Sequence, residues 1–338
     1  MQRAAVVRIE DRREDCFLDQ DGEGDEVGVG HEPRRLLNLV SGSYGAWFAP
    51  YIRRAGGEVV ELRVPYDSAV DPEEVRRALR RDPTIKYLSV AHVETPSGTV
   101  NPVREIGQVA RERSVLTIVD TVAGLGGIAL SPEEWGIDIA VAAPQKCLGG
   151  LPGLALLSVS PAAWAAMNSH PLPPRGSYLS LLDWKETWLA ARRFPYTPSV
   201  SLIYALESAL TQVLEVGVER HAARHAAMAR ACRAAVRALG LRLWPAREEV
   251  AATAVTAVAV PEGLTDARIR GHLRARYGVM LSGASGGSGR AGLLAGPHGQ
   301  DGAPGQPRRA SRAARAHPRR PRPLHAARQR GGGGPRRH

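Results

Sequence analysis

Apolar and polar positions along the chain fall into short solid runs that alternate with helical repeats. Leu36, Leu37, Leu39 and Val40 make an apolar run that stops at Ser41-Gly42, as a buried strand followed by a turn does. A helix over Ala46 to Ala55, ending at Gly56-Gly57, and a strand over Glu58 to Val64 are expected next. Asp71-Pro72-Glu73-Glu74 opens a further helix: it offers an N-cap, a proline in the first turn and acids facing the positive end of the helix dipole. The pattern then predicts strands over Tyr87 to His92, Val115 to Val119, Ile137 to Ala142 and Leu154 to Val159, with a helix over Val103 to Arg113. Strands and helices alternating at this spacing imply an α/β fold with a mostly parallel sheet covered on both faces.

The later part of the chain reads differently. Leu202 to Leu239 is a long amphipathic helical stretch, broken near Gly217 and ending at Gly240. A strand over Thr253 to Val260 and a helix over Asp266 to Tyr277 follow. This pattern suits a smaller C-terminal α+β domain. The expected division is a large domain over 36–198 and a small one over 199–288. Residues 1–35 scatter acids among glycines with no sustained apolar period, and beyond Gly296 the only large aliphatic residue is Leu324. Segments 1–35 and 289–338 are therefore expected to be disordered.

Charge changes the picture only once it is placed. The chain of 338 residues carries a net +11, which suggests a nucleic-acid partner. Residues 289–338, however, hold twelve arginines against the single acid Asp301, so they account for the whole +11. The remainder is neutral and has no electrostatic footprint for DNA or RNA. Cys16, Cys147 and Cys232 are scattered with no CxxC spacing, as reduced thiols are. With no signal-peptide pattern and no apolar run near 18 residues, the expectation is a soluble cytoplasmic protein without a membrane span.

Ligands of parallel sheets bind beyond the carboxyl ends of the strands. Thr95, Asp120 and Lys146 each stand just past such an end, which points them to one site. Each has a plain alternative when taken alone. Asp120 could be an N-cap or a salt-bridged acid, Lys146 a surface charge, and His92 to Gly98 ordinary turn chemistry. Tyr44, between Gly42 and Gly45, lies where a flat ligand could stack, or is simply a loop aromatic. Cys147 reads as a small buried hydrophobe rather than a nucleophile. No HExxH spacing supports a metal site. A lysine, a buried acid, a hydroxyl and an aromatic in one place are what a pyridoxal ring requires.

The runs Thr117 to Gly127, Ala143 to Gly153 and His92 to Pro102, in that spacing, resemble the class V, fold-type I aminotransferases of the alanine–glyoxylate aminotransferase-like group. Leu37 to Gly45, Val64 to Pro72, Tyr178 to Trp184, Phe194 to Ser201 and Arg274 to Ser282 extend the likeness toward members that use free pyridoxamine. The resemblance covers roughly residues 36 to 283 and implies a three-layer αβα sandwich. It implies that Lys146 forms the Schiff base and that Asp120 partners the pyridine nitrogen. It places Thr95 at the ring oxygen, Tyr44 on one face of the ring and Val122 on the other. Gln145 would lie near the phosphate region, and Thr197 would reach a neighbouring subunit's site in a homodimer.

Both ends depart from that pattern. The Gly-rich turn and helix that hold the phosphate in the family are not visible in 1–35. Between Ser282 and Leu294 no clean strand is expected, and Arg290 is the one arginine available for a substrate carboxylate. The abrupt compositional change at both ends suggests altered reading frames or a degraded gene there, the alternative being a family variant with disordered tails. The leading expectation is a pyridoxal-phosphate-dependent aminotransferase acting on a small amine and a small 2-oxo acid such as pyruvate or glyoxylate. Three others stand beside it: an enzyme taking free pyridoxamine or pyridoxal as substrate, an inactive remnant, and a nucleic-acid binder working through the basic tail.

Overall fold

The computed structural model describes residues 5–8, 35–171, 173–284 and 292–295. In chain order the strands are β1 (Ala5–Arg8), β2 (Arg35–Val40), β3 (Glu58–Arg63), β4 (Ile85–Ala91), β5 (Val93–Glu94), β6 (Thr99–Val100), β7 (Leu116–Asp120), β8 (Ile139–Ala142), β9 (Leu154–Val159), β10 (Thr256–Ala259), β11 (Ser282–Ala284) and β12 (Gly292–Ala295). The helices are α1 (Ser43–Arg54), α2 (Pro72–Arg81), α3 (Val103–Arg111), α4 (Pro132–Trp135), α5 (Pro161–Asn168), α6 (Leu181–Trp184), α7 (Val200–Val216), α8 (Val218–Ala238) and α9 (Asp266–Tyr277).

Seven strands form one sheet in the order β1-β9-β8-β7-β4-β2-β3. β3, β2, β4, β7 and β8 run parallel, and β9 is antiparallel to both its neighbours. One face packs Leu37, Leu39, Leu88, Val90 and Val119 against Val75 and Leu79 of α2 and Ile106 and Val109 of α3. The other face gathers Ala155, Leu157 and Val159 with Ala163 of α5 and Trp184 of α6. Helices therefore cover both faces, which is why the parallel strands read as solid apolar runs rather than alternating ones.

Local chemistry sets several boundaries. The Asp71 carboxylate accepts the Glu73 N–H at 2.9 Å to start α2, and Val75 and Leu79 bury its inner face at the i, i+4 spacing. Gly217, at φ 90°, separates α7 from α8 where the sequence pattern placed a break. A smaller sheet, β10-β12-β11, packs with Val236 of α8 and Ile269 of α9.

Several expectations need correction. α1 begins at Ser43, three residues before the expected start, so Tyr44 is in its first turn rather than in a loop. β1 falls within 1–35, where no strand was expected, and pairs with β9. β12 falls where no clean strand was expected and within the supposed disordered tail, and it pairs with both β10 and β11. These short strands are specified by their partners, not by any alternation of their own. A π-helical turn, Lys185–Ala190, continues α6 and left no signal in the sequence pattern. The remaining expectations for 1–34 and 296–338, and Arg290, lie outside the described residues.

Candidate active site

The site grows from three adjacent parallel strands. Asp120, the last residue of β7, is in register with Ala91 at the end of β4 and with Val141 of β8. Lys146 follows four residues after the end of β8. All three strands deliver their carboxyl ends to one edge of the sheet, so the fold brings Asp120, Lys146 and the β5–β6 hairpin carrying Thr95 to the same rim.

Asp120 is held by its surroundings on several sides. Its Oδ1 accepts the Val122 N–H at 2.8 Å, and its carbonyl accepts the His92 N–H at 2.7 Å. Burial raises the carboxyl above the usual carboxylate range, while the Val122 N–H and the positive charge of Lys146 pull it back down. The acid and the lysine are therefore electrostatically coupled.

Lys146 sits in a tight loop. The Gly149 N–H donates to the Lys146 carbonyl at 3.0 Å, and the Gly150 N–H donates to that of Pro144 at 2.8 Å. The next residue, Cys147, is buried; its Sγ lies 3.6 Å from the Ala123 carbonyl, and its own carbonyl is 2.9 Å from His221 Nε2 on α8. Burial pushes its thiol up to about 11, so it is a packing residue and not a thiolate nucleophile at neutral pH.

Tyr44 lies in the first turn of α1 with its ring edge-on to Trp47 at 4.8 Å. Burial raises its phenol, and the negative charges of Asp120 and Glu94 add to the effect. Tyr44 thus lies near Asp120 and Glu94. Glu94 is fully buried, and sequence reasoning passed over it as a site residue. Its Oε2 accepts the Tyr44 N–H at 2.9 Å and its Oε1 accepts the Gly45 N–H at 2.6 Å. The available signal was a glutamate buried in the apolar strand end after β4, with glycines at 42 and 45.

The Thr95 Oγ1 is buried and has no hydrogen-bond partner among the described residues. An orphaned hydroxyl costs free energy, so a ligand oxygen or nitrogen there would satisfy it. Val122, half-buried, stands two residues after Asp120. Gln145 is exposed beside Lys146. Thr197 is exposed and lines a different cavity of about 330 Å³ with Trp184, Trp188, Phe194 and Tyr196, so it does not join this cluster. Among the described residues no group of three or more His, Cys, Asp or Glu side chains is placed to hold a metal ion. No helix among them is long and apolar enough to cross a membrane.

A coupled acid and amine, an aromatic and an unsatisfied hydroxyl fit a flat heteroaromatic ring bearing a basic nitrogen and a carbonyl. Comparison with known proteins agrees. The Aminotransferase class-V family model matches residues 47–295. Over 247 residues, 73% of this chain, the sequence is 44% identical to a pyridoxamine–pyruvate transaminase of Mesorhizobium japonicum. It is 39% identical over 74% of the chain to an uncharacterised aminotransferase of Methanocaldococcus jannaschii. The crystal structure of pyridoxamine–pyruvate aminotransferase from Mesorhizobium loti superposes with a TM-score of 0.76 at 42% identity, covering 79% of this chain and 68% of that one. The chain spans 63% and 64% of the length of the two sequence relatives.

Proposed function

Because the chain belongs to the class-V aminotransferase family, we propose that it moves an amino group from a small amine to a small 2-oxo acid such as pyruvate or glyoxylate, using a pyridoxal-type ring. The observation that carries this reading is the convergence of half-buried Asp120, Lys146 and the orphaned Thr95 hydroxyl at adjoining strand ends. When bound, such a ring supplies an electron sink for the carbon that bears the amino group.

The residues then divide the work. Asp120 would accept a hydrogen bond from the ring nitrogen and keep it protonated, a pairing worth more in this half-buried place than in water. Tyr44 and Val122 would hold the faces of the ring. Thr95 Oγ1 would bond to the ring oxygen, which would satisfy the orphaned hydroxyl. Lys146 binds at its Nζ and moves protons there, its loop fixed by Cys147 and His221. Gln145, exposed beside Lys146, would lie near the phosphate region. Thr197 belongs to a neighbouring copy's site in a homodimer, which agrees with its exposure here. The large domain over 36–198, with β1 joined to its sheet, would hold the ring, and 199–288, with β12 joined to its sheet, would form the smaller domain, the whole working in the cytoplasm.

A second reading, that free pyridoxamine is itself the amino donor, is favoured by the relative of that name at 44% identity. Both are tested by supplying the purified protein with pyridoxamine and pyruvate, and separately with pyridoxal phosphate, L-alanine and glyoxylate. Amino transfer in the first mixture alone supports the free-ring reading, and transfer in the second alone supports the bound-cofactor reading. Transfer in neither overturns both.

A further inference from the structure

We propose that Glu94 is a positioning residue of this site: its carboxylate fixes Tyr44 and, through it, the aromatic face against which the ring lies. The proposal rests on the reading above. Helix α1 has no local side-chain cap, and its N-cap residue is Gly42 in extended backbone. Glu94, about fifty residues away, takes that place by accepting the Tyr44 and Gly45 N–H groups with its two carboxylate oxygens.

The arrangement is costly and the chain makes room for it. A side-chain carbon at residue 42 would stand 2.4 Å from the Glu94 carboxyl group, and one at residue 45 would stand 2.7 Å from the Leu39 carbonyl and 3.1 Å from Glu94 Oε1. Two glycines thus admit a buried acid. Among the described residues no arginine or lysine forms an ion pair with it, and burial raises its carboxyl against the two N–H bonds. A serine or aspartate beside the helix would cap it at lower cost. What Glu94 adds is a link. Its main chain continues into Thr95 and its side chain seizes Tyr44, so one residue sets the spacing between the hydroxyl and the aromatic ring.

The test is a double-mutant cycle of Glu94→Gln with Tyr44→Ala, read on two scales. Glu94→Gln keeps the size but offers one acceptor where there were two. In the ligand-free protein, amide hydrogen exchange over 43–46 should quicken about tenfold while the rest of α1 is unchanged. Pyridoxal affinity, followed by absorbance, should weaken about tenfold in Glu94→Gln and show no further loss from that change in a Tyr44→Ala background. Should E94Q not fold, Glu94→Asp, which keeps the charge and shortens the reach, is expected to give the same pattern. Unchanged exchange, or losses of affinity that simply multiply, would overturn the proposal. A wild-type protein that binds no pyridoxal would sink the functional reading instead, and the exchange measurement would still judge the Glu94–Tyr44 link.

Discussion

His221 Nε2 stands 2.9 Å from the carbonyl oxygen of Cys147, the residue after Lys146. A carbonyl only accepts, so the contact requires the proton on Nε2. Helix α8 thereby anchors the lysine loop from behind. His221→Ala should leave a buried carbonyl unpaired above a small void, costing about 2–4 kcal/mol of stability. His221→Gln, which can still donate, should recover most of it. Denaturant unfolding of the two variants checks this, and equal losses would show that packing alone matters.

His92 makes folding sensitive to acid. Its ring is buried with Nδ1 3.1 Å from Thr121 Oγ1, and burial lowers it from an ordinary 6.5 to about 4. The unfolded chain therefore takes up this proton at a higher pH than the folded one. The stability that depends on a neutral His92 is fully present above pH 6.5 and is lost as pH falls toward 4, a change of about 3 kcal/mol. His92→Gln should flatten the difference in unfolding free energy between pH 7 and pH 4.5. An equally steep dependence in the variant would refute the assignment.

Asp120 should separate stability from function. Burial disfavours its charge, so Asp120→Asn is expected to leave the melting temperature of the ligand-free protein unchanged or higher. The same change removes the anion that pairs with the ring nitrogen, and amino transfer should fall at least about a hundredfold. A variant that melts lower yet still transfers amino groups would mean that Asp120 is a structural acid.

The legible parts of this fold are those specified locally. Parallel strands buried on both faces read as solid apolar runs, so β2, β4, β7 and β8 stand within two residues of their expected bounds at either end, and antiparallel β9, an apolar run too, matches its own. α9 runs from Asp266 to Tyr277 as expected, because its cap, Thr265, and the left-handed Gly278 flank it directly. α1 was placed too late for the opposite reason: its cap is Glu94, distant in sequence, and a nearest-neighbour pattern carries no trace of it. The same distance hid Glu94 as a site residue. Asp120, Lys146 and Thr95 were legible because the strand ends that carry them were. His92 and His221 were not, since their roles depend on which elements lie behind them in space.

The central claim is that Lys146 carries the reactive amine of a pyridoxal site. It is tested most directly by titrating pyridoxal and pyridoxal phosphate into the wild-type protein and into Lys146→Ala, following absorbance near the imine band. At least one ligand should give a saturable new band in the wild type, and Lys146→Ala should abolish it for both. A band that persists without Lys146, or no band with either ligand in the wild type, would contradict the account.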